Sequence, residues 1–409
     1  MRRAVPTVAA VVIEERAGRL RGGSPAYRRF SLAMFLAGLA TFALLYAPQP
    51  VLPDLGREYH LSPVGASLTI AAATAALAVA VIPLASVSEV VGRKPVMLAG
   101  VAAAAALGVV AAVSPGFGWM LAARAVQGVA LAGLPASAMA HVTEEVEPSS
   151  TGRAMGLYIA GNSVGGMAGR LIVGGVTDLA DWRWGLASVG VFSLVCAAGF
   201  AYLLPRPVAF RPHPARPRAL AAGVAGHLRS GRLLRLYVTA FALMGAMVTV
   251  YNYLGYRLAA PPFALPSVVI GLIFLCYLAG TVSSAVAGRF SDRYGRRPIA
   301  TAGALVAVAG AAVTLAGSLV AVIGGLLVFT AGFFACHTVA SGWVGRLATT
   351  GRAQASAIYM LTYYLGSSVA GSAGGLAYAH AGWPGTVTFV AVLLLVAAAT
   401  VQIRDRRAG

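Results

Sequence analysis

Four ionisable side chains lie within or beside long apolar stretches of this sequence, where a charge is costly. Arg124, Arg170 and His337 fall inside such stretches, and Asp54 follows the first stretch. An ionisable group inside a membrane costs at least ~2.5 kcal/mol and commonly marks an ion or proton pathway. We expect Asp54 to exchange protons with the outside and to pair with Arg124 or Arg170 when ionised. His337 is a second candidate for proton coupling, because histidine titrates near working pH; hydrogen-bonded packing is the alternative role for it and for both arginines.

The carboxylates are absent from the middle of the apolar stretches. All twelve Asp and Glu residues lie in tails, in loops or at the ends of stretches. Exporters of cationic drugs often carry an acid near the middle of the membrane, so this distribution favours a neutral polar or an anionic substrate. Aromatic faces can also hold a cation, which keeps a cationic substrate as the alternative.

Uncharged polar side chains in the same stretches could bind a substrate, since a mostly apolar pocket uses a few such groups for orientation. Gln49 and Asn252 are separated by 203 residues, the offset of an internal repeat described below. The candidate substrate-binding residues are Tyr46, Gln49, Gln127, Asn162, Tyr251, Asn252, Tyr359 and Tyr363. Packing or hydrogen bonding between helices is the alternative role for each.

The elements that position these side chains follow from the composition. Of 409 residues, 59% are hydrophobic and 11% are charged, against about 25% charged in an ordinary soluble domain. Twelve stretches are long enough to cross a bilayer as helices, which takes about 20 residues each. They are 30–52, 67–88, 95–113, 117–141, 154–177, 184–204, 236–257, 267–288, 298–316, 319–343, 354–378 and 384–402. The sequence predicts an all-α polytopic membrane protein with twelve transmembrane helices.

The basic residues predict the orientation of these helices. Of the 31 Lys and Arg residues, 26 fall in the tails and loops on the side that holds both termini. Cytoplasmic loops are enriched in Lys and Arg, so both termini are predicted to be cytoplasmic. The excess of positive charge is thereby explained by topology and by anionic lipid headgroups rather than by nucleic acid.

The chain repeats itself at its inner loops. Residues 85–100 read ASVSEVVGRKPVMLAG and residues 288–303 read GRFSDRYGRRPIATAG. Such repeats build secondary transporters, with the substrate between two halves. The predicted parts are an N-terminal tail 1–29, a first six-helix half 30–204, a linker 205–235, a second half 236–402 and a tail 403–409. Conformational gating is predicted for Glu89, Gly92, Arg93, Asp292, Arg293, Gly295, Arg296 and Arg297, with simple positive-inside anchoring as the alternative.

These motifs resemble a known family. GRFSDRYGRRP is similar to the loop signature of the major facilitator superfamily, and RAVQG at 124–128 resembles its fourth-helix signature. The resemblance covers nearly the whole chain and is closest to the bacterial acriflavine-sensitivity, or arabinose-efflux-like, branch. It implies a proton-driven exporter of small molecules and a coupling role for Arg124.

Two departures from the family pattern shape further expectations. The first loop has Ala85, Glu89 and Val90 where the signature has Gly, Asp and Arg, so we expect a stronger charge network in the second half. The fifth stretch has Gly156, Gly165 and Gly169 of the antiporter signature, but Arg170 stands where a proline should follow.

The functional prediction is a proton-coupled exporter in the plasma (inner) membrane of a bacterium, working as a monomer on a small-molecule substrate. It would use no cofactor beyond the proton gradient and no metal. The alternatives are a proton-coupled uptake symporter and, from another class, a membrane enzyme or a sensor.

Overall fold

The computed structural model describes residues 19–207, 217–348 and 351–403. The first half contains α1 (Pro25–Leu45), α2 (Leu52–Glu58), α3 (Pro63–Val91), α4 (Arg93–Ala112), α5 (Phe117–Glu145), α6 (Pro148–Leu179) and α7 (Trp182–Leu203). A helix α8 (Pro217–Arg229) lies in the predicted linker. The second half contains α9 (Gly231–Ala259), α10 (Ser267–Ile273), α11 (Tyr277–Tyr294), α12 (Arg296–Val313), α13 (Leu319–Leu347), α14 (Arg352–Leu365) and α15 (Gly371–Gln402). The all-helical prediction is confirmed over these residues.

Nine helical segments of the described chain are long and apolar enough to cross a membrane. One of them, Gln354–Gln402, covers two predicted stretches. Its backbone leaves the helical conformation between those stretches, at Ala381 and Gly382. Helices α6 and α12 also follow predicted stretches but are not among the nine. The protein is therefore a multi-pass membrane protein, while the count of twelve spans stays a prediction.

Glycines let α1 and α6 pack with their backbones in contact. A Cβ on Gly161, Gly165 or Gly169 would lie 2.2–2.4 Å from a backbone oxygen of α1. The spacing of four residues keeps these positions on one helix face. Small residues at this spacing are the usual means of close helix association in membranes, and here they tie α1 rigidly to α6.

The tight turn predicted at each repeated loop is present. Gly92 joins α3 to α4 with φ +114°, and Gly295 joins α11 to α12 with φ +91°. Residues with a Cβ rarely adopt such angles. The glycines thus allow two antiparallel helices to be joined through a single residue.

Parts of the predicted tails and linker lie outside the residues that the structure describes. Residues 1–18 of the N-terminal tail, 208–216 of the linker and 404–409 of the C-terminal tail lie outside them. Within the linker, α8 packs against α9 and α14, both of the second half. The division at 205–235 stays a prediction.

Candidate substrate site and gates

The two halves meet through polar side chains near the side opposite the chain termini, here called the outer side. Gln49 Nε2 donates to Asn252 Oδ1 at 2.8 Å, and both residues are buried. Tyr256 Oη donates to the carbonyl of Leu52 at 2.9 Å. Tyr46 Oη lies 3.3 Å from Ser367 Oγ. The pseudo-equivalent amides of the repeat therefore contact each other directly across the interface.

Arg170 lies at this interface inside a cage of aromatic rings. Its guanidinium carbon is 5.2 Å from the ring centre of Tyr46, 4.5 Å from Phe274 and 5.1 Å from Tyr277. Its Nε donates to Gln49 Oε1 at 2.7 Å. Cation–π contacts of this kind strengthen as the cation is desolvated, and Arg170 is only 2% exposed. Since Tyr46 belongs to the first half and the other two rings to the second, the cage exists only while the halves are in contact here.

Asp178 makes a second contact between the halves, one that the sequence did not reveal. It lies one residue before the end of α6 and accepts hydrogen bonds from Ser267 N at 3.0 Å and Val268 N at 2.7 Å. These amides open α10, whose own N-cap residue is Pro266, without a side-chain cap. A carboxylate satisfies the free N–H groups of a helix start and opposes its positive dipole end. Asp178 thus caps a helix of the other half.

Arg124 is held entirely within the first half. Its guanidinium donates to the carbonyls of Thr69, Leu44 and Leu45 and to Gln127 Oε1. Gln127 Nε2 in turn donates to the carbonyl of Ala104 at 2.6 Å. Leu44 and Leu45 end α1, where carbonyls lack helical partners. This geometry fits the structural alternative for Arg124 and places Gln127 beside it rather than at the interface.

The predicted ion pair of Asp54 with Arg124 or Arg170 is wrong for this structure. Asp54 pairs with Arg57 at 2.5 Å, one turn later in α2. The two residues share a short helix, so their proximity needs no contact between distant segments. Among the described residues, neither Arg124 nor Arg170 has a carboxylate within salt-bridge distance.

His337 belongs to an aromatic wall in the second half. Its ring is parallel to Phe333, with centres 5.8 Å apart, and lies 4.8 Å from Tyr363. Its Nδ1 is 3.0 Å from Tyr359 Oη. The wall continues through Phe334 and Tyr277 to the Arg170 cage. The wall contains half-buried rings, those of His337, Tyr363 and Tyr277, and fully buried ones such as Tyr359.

Two other predicted substrate residues lie away from the interface, one hydrogen-bonded locally and one packed between helices. Tyr251 is buried behind Tyr277 and bonds Thr330 Oγ1 at 2.8 Å. Asn162 lies against Gly38 of α1, where its Oδ1 would be 2.4 Å from an added Cβ. The structure therefore brings Tyr46, Gln49 and Asn252 together at the interface and Tyr359 and Tyr363 together beside His337, while Asn162 packs inside the first half.

The two repeated inner loops form their ion pairs with residues of opposite sign. The loop contributes the arginine in the first half and the carboxylate in the second. In the first half, buried Arg93 contacts Ser88 Oγ at 2.7 Å, Glu144 at 3.0 Å and Glu89 at 3.8 Å. In the second half, Asp292 contacts Arg346 at 3.5 Å, and both are exposed. The expectation of a stronger second-half network is wrong. Of these described ion pairs, those of Arg93 are shielded from water by the burial of its side chain, whereas both members of the Asp292–Arg346 pair are exposed. Glu144 and Arg346, at the inner ends of α5 and α13, were missed as partners.

The remaining gating candidates lie at the exposed end of the second half. Arg293 stacks over Tyr294 at 5.3 Å, and Arg297 lies 5.9 Å from the centre of Trp343. Gly295, Arg296, Arg297 and Asp292 line a cavity of about 310 Å³ with Trp343. Within the described residues, no cluster of side chains could hold a metal ion.

Known proteins resemble this chain along its length. The sequence matches the family model described as Major Facilitator Superfamily over residues 30–260 and 258–408. It is 46% identical over 378 residues to the inner membrane transport protein YnfM of Escherichia coli (strain K12), covering 92% of this chain and 91% of that protein. It is 41% identical to the uncharacterized MFS-type transporter YybF of Bacillus subtilis (strain 168), covering 95% and 98%.

A solved structure has the same fold. A bacterial homologue of the human lysosomal transporter Spinster, in an inward-facing and unoccupied conformation, superposes with a TM-score of 0.73 at 17% identity, covering 93% of this chain and 95% of that one. Together with the matched family and the apolar helices, these relatives indicate a membrane transporter rather than an enzyme. The chain belongs to the major facilitator superfamily.

Proposed function

We propose that this transporter exports a small neutral polar or anionic molecule across the plasma membrane in exchange for protons. The observation that carries the proposal is the set of contacts between the halves at the outer side. The Arg170 cage, the Asp178 cap and the Gln49–Asn252 bond all join the halves there. Alternating access requires such contacts to break when the site faces outward. The structure is accordingly interpreted as an inward-facing state.

The substrate class follows from the groups at the centre of the molecule. The half-buried part of the aromatic wall, with His337 and Tyr363, offers ring faces and one imidazole. Arg170 supplies the nearest positive charge along the wall, and it has no carboxylate partner among the described residues. A substrate that is neutral and polar, or anionic, suits this environment better than a cation does.

Export and proton coupling rest on the resemblance to the acriflavine-sensitivity branch and on the positions of two titratable groups. Asp54 lies at the outer end of the first half and can exchange protons with the outside. His337 lies beside the proposed substrate site, 18 residues from the start of α13 and ten from its end. We propose that His337 carries the proton at the site and that Asp54 serves the outer entrance. Asp54 would need to leave Arg57 to do so.

The experiment is a transport assay in reconstituted vesicles with an imposed pH gradient, using dyes, sugars and organic anions. We expect substrate to move opposite to the proton flux. Arg170→Gln should abolish this movement, while Arg153→Gln, which removes one exposed positive charge on the inner side, should leave it intact. Substrate movement in the same direction as protons would establish the uptake symporter instead. Binding without gradient-driven movement would refute the transport mechanism and favour a sensor.

A further inference from the structure

A second cavity, of about 250 Å³, lies at the inner end of the second half. It opens among the ends of four helices: the start of α9, the start of α12, and the last turns of α13 and α15. Its described lining includes Arg232, Arg235, Arg297, Trp343, Leu347 and Val401. The cavity combines three guanidinium groups with an indole ring and an apolar floor.

The internal repeat provides a comparison for this cavity, because Arg297 is the counterpart of Lys94 at the 203-residue offset. In the first half, Lys94 Nζ donates to the carbonyls of Leu204 at 2.7 Å and Pro205 at 3.3 Å, just past the end of α7. Those contacts satisfy the free carbonyls of a helix end. In the first half, Lys94 therefore has its acceptors within the chain itself.

Arg297 makes no corresponding contact with the end of α15. The carbonyl of Ile403, which follows that helix, accepts instead from Arg235 at 3.1 Å. The Nε atom of Arg297 is buried and has no hydrogen-bond partner in the described part of the chain, although its guanidinium lies near the Trp343 ring. A buried donor without an acceptor destabilises the structure that contains it. A bound acceptor in the cavity would remove that destabilisation.

We propose that this cavity binds the phosphate group of an anionic phospholipid from the inner leaflet. Guanidinium groups match phosphate oxygens in geometry and charge, and basic pockets between helices on the cytoplasmic side suit anionic headgroups. The volume accommodates a phosphate and part of the glycerol, not a whole lipid. Val396 lies one turn before Thr400, which also lines the cavity, and it is exposed together with Leu395. The acyl chains would run along this exposed face of α15.

This lipid site is separate from the proposed substrate site, since none of its lining residues belongs to the aromatic wall or to the Arg170 cage. Bound lipid would tie together the inner ends of α9, α12, α13 and α15. It would stabilise the second half in both conformations rather than select one of them.

Native mass spectrometry of the full-length protein tests this proposal, with phosphatidylglycerol compared against phosphatidylcholine of the same acyl chains. We expect the wild type to retain one phosphatidylglycerol per chain after partial delipidation and Arg297→Gln to lose it. Arg153→Gln, which makes the same charge change elsewhere on the inner side, should retain it. If Arg297→Gln does not fold, Arg232→Gln, at an exposed position, should show the same loss.

Inorganic phosphate distinguishes a lipid from a free anion. If millimolar phosphate raises the Tm of the delipidated wild type but not of Arg297→Gln, while no lipid is retained, the site binds a soluble anion and the lipid assignment is wrong. Equal retention of phosphatidylglycerol by wild type, Arg297→Gln and Arg232→Gln would overturn the proposal as a whole. Neither result depends on transport, so the proposed function is tested independently.

Discussion

The Asp178 contact allows a direct test of the outer gate. Replacing Asp178 by alanine removes the cap on Ser267 N and Val268 N. Loss of an N-cap side chain costs about 0.5–2 kcal/mol, and this cost falls only on the conformation in which the halves touch. A change of about 0.5–2 kcal/mol alters a two-state ratio by about 2- to 30-fold. We therefore expect Asp178→Ala to shift the protein toward the outward-open state by that factor.

The shift can be measured as a distance between spin labels on the two halves. Leu179 and Ala260 are exposed at the outer ends of α6 and α9. Labels on Leu179→Cys and Ala260→Cys, in a background with the three buried native cysteines replaced by alanine, report the opening by double electron–electron resonance. Asp178→Ala should increase the population of long distances, and Asp178→Asn, which keeps one acceptor oxygen, should give a smaller increase.

Asp181 provides the matched control. It caps α7 through Arg183 N at 2.8 Å and Trp184 N at 3.1 Å, entirely within the first half. Asp181→Ala should cost a similar amount of stability and leave the distances unchanged. If Asp178→Ala gives the wild-type distance distribution, or if Asp181→Ala opens the gate equally, the reasoning is refuted.

Three other substitutions test the remaining roles. Arg124→Ala should lower the free energy of unfolding by about 1–3 kcal/mol, because the buried carbonyl of Leu45 and Gln127 Oε1 lose a charged donor; normal thermal stability with transport lost would instead favour the coupling role. Gly165→Ala should prevent assembly of the first half, since its Cβ would lie 2.2 Å from the Leu39 oxygen, while Gly156→Ala, with no atom within 4 Å, should fold normally; equal yields of folded protein would contradict this account. His337→Phe keeps the ring stacking but not the bond to Tyr359, so it should keep substrate binding and lose pH-driven transport; unchanged transport would leave His337 a packing residue.

The sequence predicted well those features that depend on residue type and spacing. Runs of apolar residues located the helices, and the 203-residue offset placed Gln49 and Asn252 at equivalent depths. Related positions meet at a pseudo-twofold axis, which explains why these two amides bond directly. Gly92 and Gly295 were identifiable because few residues other than glycine tolerate their backbone angles.

Contacts made by the backbone could not be predicted in this way. Arg124 bonds to carbonyls and Asp178 to amide N–H groups, and every residue except proline has both. The sequence marks the charged partner but not the acceptor or donor. Asp54 illustrates a second limit, because the sequence does not tell which of several arginines pairs with it. In the structure the partner is Arg57, three residues later in the same helix.

The hydrogen bonds of Arg124 impose an order on the biogenesis of the first half. Leu44, Leu45 and Thr69 leave the ribosome before Arg124, so the carbonyls that accept from Arg124 are synthesised before their donor. When α5 reaches the membrane, its arginine is expensive in lipid and is stabilised only if α1 and α3 have remained beside the insertion site. We therefore expect α1 and α3 to remain beside the insertion site until Arg124 has bonded to their carbonyls.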